Sequence, residues 1–176
     1  MEPTLSERCA GIELLVLDVD GVLTDGGIYV DDDGKETKKF HVRDGAGIAY
    51  WKRLGKRVAI LSGRQCAAVE HRAKELNLDR VYQGRLEKRP VLEEILRLEG
   101  LSAEKACFVG DDLADIPAMS VAGLAITVAD AAPEVRAVAH WVTQRPGGHG
   151  AVREAIEYLL RAQGRWTEVL RHYQRS

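Results

Sequence analysis

One stretch of the chain predicts the fold, because an apolar run in it stops at two carboxylates: Leu14-Leu15-Val16-Leu17-Asp18-Val19-Asp20-Gly21-Val22-Leu23-Thr24. Such a run is typical of a strand that is buried on both faces of a parallel sheet. Asp18 and Asp20 alternate with Val19 and therefore point to the same side of an extended chain. Charged side chains are rarely buried without a partner or a metal ion. The stretch therefore predicts a cation site at the carboxyl end of the strand, where open parallel sheets bind ligands. The alternative is a solvent-exposed turn rich in Asp and Gly.

Length and composition limit the class of protein. The chain has 176 residues, which suits one domain, and a composition of 45% hydrophobic and 30% charged residues argues against disorder. The net charge of -2 gives no general attraction to nucleic acid or to a membrane, so we expect neither as a partner. Cys9, Cys66 and Cys107 are odd in number and widely separated, which favours free thiols in a reducing compartment. Neither a signal peptide nor an apolar run of the roughly 20 residues that span a membrane is found, so we expect a cytoplasmic protein.

Hydrophobic periodicity predicts strands and helices that alternate along most of the chain. The predicted strands cover 12–19, 57–61, 80–82, 106–109, 124–128 and 140–142, and the predicted helices cover 44–54, 66–76, 87–98, 113–121, 133–139 and 151–161. A leader over 1–11, a β-hairpin over 26–42 and a tail over 164–176 with helical spacing complete the chain. This order predicts an α/β fold with a Rossmann-like parallel sheet and helices on both faces, in a single domain over 1–176.

Three of the predicted strands end in polar residues of matching kinds. The first ends at Asp18 and Asp20, the second at Ser62-Gly63-Arg64 and the fourth at Gly110-Asp111-Asp112, while Lys88 begins the helix before the fourth strand. In a parallel sheet these residues meet at one edge. Carboxylates are the ligands that Mg²⁺ prefers, and a hydroxyl, backbone N–H groups and a lysine suit a phosphate. The pattern therefore predicts a Mg²⁺-dependent phosphate site.

Four motifs follow one another in an order known from one superfamily: Asp18-Val19-Asp20-Gly21-Val22, Ser62, Lys88 and Gly110-Asp111-Asp112. With them the chain resembles the haloacid dehalogenase-like phosphatases, in a form without a cap domain, since only the hairpin fits between Asp20 and Ser62. Longer stretches over 20–26, 41–45 and 147–154 resemble, within that superfamily, the 3-deoxy-D-manno-octulosonate 8-phosphate phosphatases. The resemblance implies hydrolysis of that sugar-acid phosphate in lipopolysaccharide biosynthesis.

The resemblance implies a role for each matching acidic residue. Asp18 is expected to attack phosphorus and to form an aspartyl-phosphate. Asp20 is expected to protonate the leaving sugar oxygen and then to activate water. Asp18, Asp20 through its backbone carbonyl, and Asp111 are expected to hold the Mg²⁺ ion.

The same resemblance implies phosphate and substrate contacts. Ser62 and Lys88 are expected to bind the phosphoryl oxygens and to stabilise the charge of the transition state. Asp112 and Asp115 are expected to position the waters of the metal or Lys88. The expected substrate contacts are Asp20, His41, Val42, Arg43, Asp44, Gly45, Arg64, Arg72 and Lys88.

One position departs from the family pattern. Ala49 stands where the octulosonate phosphatases carry an arginine, so a phosphatase of a nine-carbon, sialic-acid-type sugar acid 9-phosphate is an alternative. Other small phosphate esters, or a phosphomutase, are further alternatives within enzymes, although a mutase usually needs a cap that excludes water. A non-catalytic, oligomeric binding module is the alternative from another class, and the presence of both Asp18 and Asp20 argues against it.

The resemblance also implies a homotetramer, because members of the family without a cap close the site by assembly. We expect the hairpins to meet at its centre and the C-terminal tails to reach a neighbouring chain. Tyr29, Phe40 and Trp166 are expected to be exposed and to suit contacts between chains, and packing on their own core is the alternative.

Overall fold

A computed structural model of the chain describes residues 3–78 and 80–174. Its elements follow in the order α1 (Leu5–Ala10), β1 (Leu14–Leu17), β2 (Tyr29–Val30), β3 (Glu36–Thr37), α2 (Val42–Arg53), β4 (Arg57–Leu61), α3 (Ala67–Glu75), β5 (Arg80–Tyr82), α4 (Lys88–Glu99), β6 (Ala106–Gly110), α5 (Ile116–Met119), β7 (Leu124–Thr127), α6 (Pro133–Val138), β8 (Trp141–Val142), α7 (Ala151–Ala162) and α8 (Trp166–Gln174). The first two residues of the predicted leader and the last two of the predicted tail lie outside the described residues. Over the described ranges, every helix is too short or too polar to cross a membrane.

Six strands form one parallel sheet in the order β5-β4-β1-β6-β7-β8, so β1 lies between two buried neighbours. Side chains alternate along a strand. Leu15 and Leu17 therefore enter the core formed with α1, α2, α3 and α7, whereas Leu14 and Val16 enter the core formed with α4, α5 and α6. The predicted α/β fold with helices on both faces of a parallel sheet is confirmed.

A two-stranded antiparallel hairpin separates β1 from α2. β2 and β3 pair through Tyr29 with Thr37 and Val30 with Glu36. Ile28, Tyr29 and Val30 are each about half exposed, at 59%, 46% and 58%. In the part of the chain that the structure describes, the hairpin alone occupies the interval between the first strand and α2, so no cap domain is inserted there.

The first strand is shorter than predicted, because the chain turns directly after it. β1 ends at Leu17 rather than at Val19. The carbonyl oxygen of Val19 accepts hydrogen bonds from the backbone N–H groups of Val22, Leu23 and Thr24, at 3.2, 2.9 and 3.0 Å. This turn holds the backbone of Asp18 and Asp20 at the carboxyl end of the sheet.

The continuous helix predicted over 113–121 is wrong. The structure has a 3-10 turn over Leu113–Asp115 and then the short helix α5. Pro117 lies in the first turn of α5 and has no N–H group, so it cannot donate the α-helical hydrogen bond that Leu113 would accept. Pro117 therefore starts a helix instead of continuing one.

Helix α2 begins at Val42, before the predicted start at Asp44. His41 is the N-cap, and its ring nitrogen Nδ1 accepts a hydrogen bond from the backbone N–H of Arg43 at 3.3 Å. Histidine is not among the preferred capping residues, which explains why the sequence pattern missed this start.

Two of the three aromatic residues that we expected to be exposed pack on their own chain. Phe40 and Trp166 are partly buried against the core that contains α2 and α7. The ring of Trp166 also meets that of Tyr50 edge-on, with centroids 6.2 Å apart. Only the expectation for Tyr29 agrees with the structure, at 46% exposed.

The loop before α7 lies directly on the turn that follows β1. The backbone N–H of Gly148 donates to the carbonyl oxygen of Val22 at 3.0 Å. A Cβ atom on Gly147 would come within 1.7 Å of the carbonyl oxygen of Gly21. This close backbone contact requires glycine at position 147.

The first turn of α7 is capped by a residue from another helix. Its own N-cap, Gly150, has no side chain, and Asp44 of α2 accepts a hydrogen bond from the backbone N–H of Arg153 at 2.7 Å. The packing of α2 on α7 therefore satisfies a backbone donor that the local sequence leaves open.

We expect Gly147→Ala to lower the free energy of unfolding by about 1–3 kcal/mol, because the added methyl group overpacks the contact with Gly21. Gly11→Ala is the matched control, since a Cβ there meets its nearest atom at an ordinary 3.6 Å. Urea unfolding of both variants measures the difference. Equal stability of the two variants would contradict the contact.

Candidate active site

The carboxyl ends of three neighbouring strands bring the predicted site residues together. Asp18 follows β1, Ser62 follows β4 and Asp111 follows β6, and the sheet order places these strands side by side. A cavity of about 320 Å³ opens at this edge. Among the residues that line it are eight that the sequence predicted: Asp18, Asp20, Ser62, Arg64, Lys88, Asp111, Asp112 and Asp115.

Lys88 is buried at the centre of this group, with only 3% of the residue exposed. Its ammonium nitrogen lies 2.9 Å from a carboxylate oxygen of Asp18 and 2.6 Å from one of Asp115. Burial alone would lower the pKa of Lys88, but these two carboxylates raise it above its usual value. Lys88 therefore stays positively charged at the floor of the cavity, although a cation at the start of α4 opposes the helix dipole.

Asp115 organises the loop after β6. One of its carboxylate oxygens accepts the backbone N–H groups of Asp111 and Asp112, at 2.9 and 3.1 Å, and the other accepts from Lys88. The side chain is fully buried. It thus fixes both the loop that carries Asp111 and the position of the Lys88 ammonium group, and its role in the reaction stays a prediction.

Asp18, Asp111 and Asp115 form an acidic cluster that could hold a metal ion. Each offers a carboxylate oxygen, and these oxygens lie within 4.8 Å of one another. Oxygen Oδ1 of Asp111 is buried and has no hydrogen-bond partner among the described residues. Both oxygens of Asp115 already accept hydrogen bonds, so the unpaired oxygen of Asp111 and the neighbouring carboxylate of Asp18 are the donors that fit a divalent cation such as Mg²⁺.

The electrostatics of the cluster also favour a cation. Burial, followed by the charges of Asp18, Asp115 and Asp112, raises the pKa of Asp111 to about 8. Burial and Asp115 raise the pKa of Asp18 to about 7, although Lys88 acts in the opposite direction. The single ammonium group of Lys88 is therefore not enough to keep all of these carboxylates ionised, and a divalent ion would supply the missing positive charge.

Gly21 allows the two acidic loops to approach each other. Its φ of +84° lies in the left-handed region, and a Cβ atom there would meet Asp111 Oδ2 at 2.0 Å. A side chain at this position would therefore displace Asp111 from the cluster.

Asp20 points toward the hairpin instead of into the acidic cluster. Its carboxylate forms an ion pair with Lys38, and Arg64 Nε lies 4.0 Å from its other oxygen. The carboxylate is 24% exposed and lines the cavity. The expected metal contact through its backbone carbonyl stays a prediction.

Ser62 also lines the cavity and is buried. Its hydroxyl oxygen accepts a hydrogen bond from the backbone N–H of Arg64 at 3.3 Å. The turn after β4 therefore orients a hydroxyl group at the edge of the sheet, as the expected phosphate contact needs.

The other predicted substrate contacts lie outside this cavity, around the start of α2: His41, Val42, Arg43, Asp44, Gly45 and Arg72. Val42 is 78% exposed, and Asp44 is buried as the cap of α7. Arg72 packs against Gly45, where a Cβ would meet Arg72 Nη2 at 2.2 Å. Ala49, the position that departs from the family pattern, is exposed on α2 and lies outside the cavity as well. Their roles stay predictions.

Three residues of the cavity and its surroundings were not predicted from the sequence. Glu36 and Lys38 come from the returning arm of the hairpin and contact Arg64 and Asp20. Their spacing of two residues on an extended segment was the available signal, because it places both on one side of the arm. Leu86, 78% exposed at the rim, carried no such signal.

Comparison with known proteins finds close relatives over nearly the whole chain. The chain is 42% identical to the 3-deoxy-D-manno-octulosonate 8-phosphate phosphatase KdsC of Salmonella typhimurium. The alignment spans 168 residues, which are 96% of this chain and 89% of the relative. It is 44% identical to KdsC of Escherichia coli, over 92% of this chain and 86% of the relative. A crystal structure of the phosphatase from Moraxella catarrhalis, in complex with magnesium, phosphate and a KDO molecule, matches with a TM-score of 0.93 at 37% identity, over 96% of this chain and 97% of that chain.

The parallel sheet with an acidic cavity at its carboxyl edge is that of a haloacid dehalogenase-like hydrolase, and the family model of that description matches residues 80–156. The relatives described above narrow this class further. The chain belongs to the 3-deoxy-D-manno-octulosonate 8-phosphate phosphatase family.

We expect Mg²⁺ to stabilise the protein more at about pH 8 than at about pH 5. In the protein without metal, the pKa values of Asp18 and Asp111 are raised to about 7 and about 8 from the ordinary 3.8. The folded state therefore binds more protons than the unfolded state between these values, and folding stability falls as the pH rises from 3.8 to about 8. A cation favours the ionised carboxylates and offsets this loss, whereas at low pH it must displace protons.

Thermal unfolding with Mg²⁺ or with a chelator, at both pH values, measures this difference. A ligand at 100 times its Kd adds about 2.7 kcal/mol. Asp111→Asn should abolish the Mg²⁺ effect and is the matched control. An equal Mg²⁺ effect at both pH values would argue against the acidic cluster as the metal site.

Proposed function

We propose that this protein hydrolyses 3-deoxy-D-manno-octulosonate 8-phosphate to the free sugar acid and phosphate. The observation that carries the proposal is the buried Asp18 carboxylate, which lies beside Lys88 and Asp111 in the cavity at the sheet edge. Family membership supplies the substrate, and the phosphatase of Moraxella catarrhalis was crystallised with magnesium, phosphate and the sugar acid. A role in lipopolysaccharide biosynthesis follows from the same proposal.

Asp18 is the proposed nucleophile. Its carboxylate oxygen attacks phosphorus, a bond forms between that oxygen and phosphorus, and the ester bond to the sugar oxygen breaks. Asp20 gives a proton to the departing oxygen, and it takes a proton from the water that then attacks the aspartyl-phosphate. Phosphate leaves, and both carboxyl groups return to their starting state.

The remaining polar groups of the cavity act on the phosphoryl group. Lys88 and Ser62 bind its oxygens and stabilise the charge that spreads over them in the transition state. Mg²⁺ would be held by Asp18, Asp111 and the backbone carbonyl of Asp20, and it would neutralise part of the negative charge of phosphate and carboxylates. Asp115 holds Lys88 and the Asp111 loop in place, and Asp112 lies beside them on the cavity wall.

We propose in addition that the protein acts as a single-domain homotetramer in the cytoplasm. The exposed apolar residues of the hairpin, Ile28, Tyr29 and Val30, support burial between copies of the chain. Assembly would also close the site, as the resemblance to family members without a cap implies. The cysteines at 9, 66 and 107 are free and buried, which suits a reducing compartment.

A panel of sugar-acid phosphates tests the substrate. We expect kcat/KM for the eight-carbon 8-phosphate to exceed that for a nine-carbon keto sugar acid 9-phosphate by about 10-fold or more, because one further carbon would move the sugar-acid carboxylate away from the groups that bind it. Release of inorganic phosphate measures both rates. A preference for the nine-carbon compound, or equal rates, would contradict the assignment.

Asp18→Asn is expected to lower kcat by at least about 10³-fold, because the amide is not a nucleophile toward phosphorus. The fold should persist, since the substitution keeps the shape of the side chain and removes a charge from a buried acidic cluster. Steady-state kinetics and circular dichroism measure the two effects, and Asp33→Asn in the exposed hairpin turn is the control. A fully active Asp18→Asn variant would exclude covalent catalysis through this residue.

A further inference from the structure

Lys38 is a buried lysine that the proposed mechanism does not use. Only 1% of its side chain is exposed, whereas 58% of the side chain of its neighbour Lys39 is exposed. Burial of an ammonium group is costly unless it is paired, so the position of Lys38 needs a reason. The hairpin turns this one lysine inward, toward the mouth of the cavity.

The Lys38 ammonium group contacts two carboxylates. It forms an ion pair with oxygen Oδ1 of Asp20, and it lies 2.7 Å from oxygen Oε1 of Glu36. The second oxygen of Glu36 is 2.7 Å from Arg64 Nη2. Lys38 is thus fixed between a hairpin carboxylate, which Arg64 also holds, and the carboxylate of the proposed proton donor.

This arrangement leaves one oxygen of Asp20 for proton transfer. Lys38 occupies Oδ1, whereas Arg64 Nε lies 4.0 Å from Oδ2, beyond hydrogen-bond distance, so we assign proton transfer to Oδ2. A carboxylate held at one oxygen cannot rotate freely about its Cβ–Cγ bond. Proton transfer in turn requires the donor oxygen to lie within hydrogen-bond reach of the ester oxygen.

We propose that Lys38 is a positioning residue that orients the Asp20 carboxylate for proton transfer to the leaving sugar oxygen. The inference rests on the proposed function, because it takes Asp20 as the proton donor. Lys38 keeps its own protons throughout: it donates to Oδ1 of Asp20 both while Oδ2 carries the proton and after that proton has passed to the sugar oxygen as the phosphorus–oxygen bond breaks, and the water of the second step returns a proton to Oδ2. The hairpin therefore contributes to the site from within the same chain.

A direct contact between Lys38 and the substrate is the competing role, and the two roles differ in kinetics. A residue that binds the substrate in the ground state raises KM when it is removed, whereas a residue that orients the proton donor lowers kcat. The near-complete burial of Lys38 behind the Asp20 and Glu36 carboxylates favours orientation.

Lys38→Met and Lys38→Arg form the test, and Lys39→Met is the matched control because Lys39 also forms an ion pair, with Asp25, but is exposed. We expect Lys38→Met to lower kcat by at least about 10-fold with KM changed less than about 3-fold. Lys38→Arg should restore much of the loss, since a guanidinium group can donate to both carboxylates. Lys39→Met should behave like the parent protein.

A double substitution gives a readout that a merely structural role would not produce. If Lys38 acts through Asp20, Lys38→Met should add less than about 2-fold to the loss caused by Asp20→Asn. Losses that multiply, a rise in KM with kcat unchanged, or a fully active Lys38→Met variant would each overturn the inference. Circular dichroism of each variant verifies that the fold is retained.

The failure of this inference is distinguishable from the failure of the proposed function. The rate of the parent protein on the octulosonate 8-phosphate decides the substrate. The ratio of variant to parent decides the role of Lys38, and it is measured with any alkyl phosphate that the parent hydrolyses, because every such ester has a leaving oxygen that needs a proton.

Discussion

The structure depends on a balance of charge at the end of one buried strand. Carboxylate oxygens of Asp18, Asp111 and Asp115 lie within 4.8 Å of one another, and one buried lysine, Lys88, contacts two of these residues. The raised pKa values of Asp18 and Asp111 indicate that this lysine alone does not neutralise the cluster. The cluster at this end of the sheet is therefore either partly protonated or balanced by a further cation, which agrees with the expected Mg²⁺ ion.

Most of the fold could be predicted because the strands of the sheet are buried on both faces. The predicted bounds of β4 and β5 are those of the structure, since apolar runs with polar ends mark such strands clearly. The errors in helix bounds arose where a single hydrogen bond decides where a helix begins. Pro117 cannot supply the donor that a helix over 113–121 would need, and a histidine at position 41 caps α2 from a position that no propensity scale favours.

Only the part of the candidate site that comes from short motifs near strand ends could be predicted. Asp18, Ser62, Lys88 and Asp111 come together because parallel strands end at one edge. Lys38 was missed because its partner Asp20 lies far away along the chain, and hairpin arms with alternating charges are common on protein surfaces. The side chains around the start of α2 lie outside the cavity, and short motifs could not predict this, since the placement of α2 depends on contacts with α7 that lie far apart in the chain.

The cap that Asp44 provides for α7 links the stability of two helices. The amide of Arg153 is protected only while the carboxylate of a residue 109 positions earlier stays in place, so the beginning of α7 cannot fray independently of α2. We therefore expect local opening of one helix to weaken the other and their amide hydrogens to exchange together. Because α7 follows the glycine loop that lies on the turn after β1, the rigidity of the reaction centre extends to a helix pair on one face of the sheet.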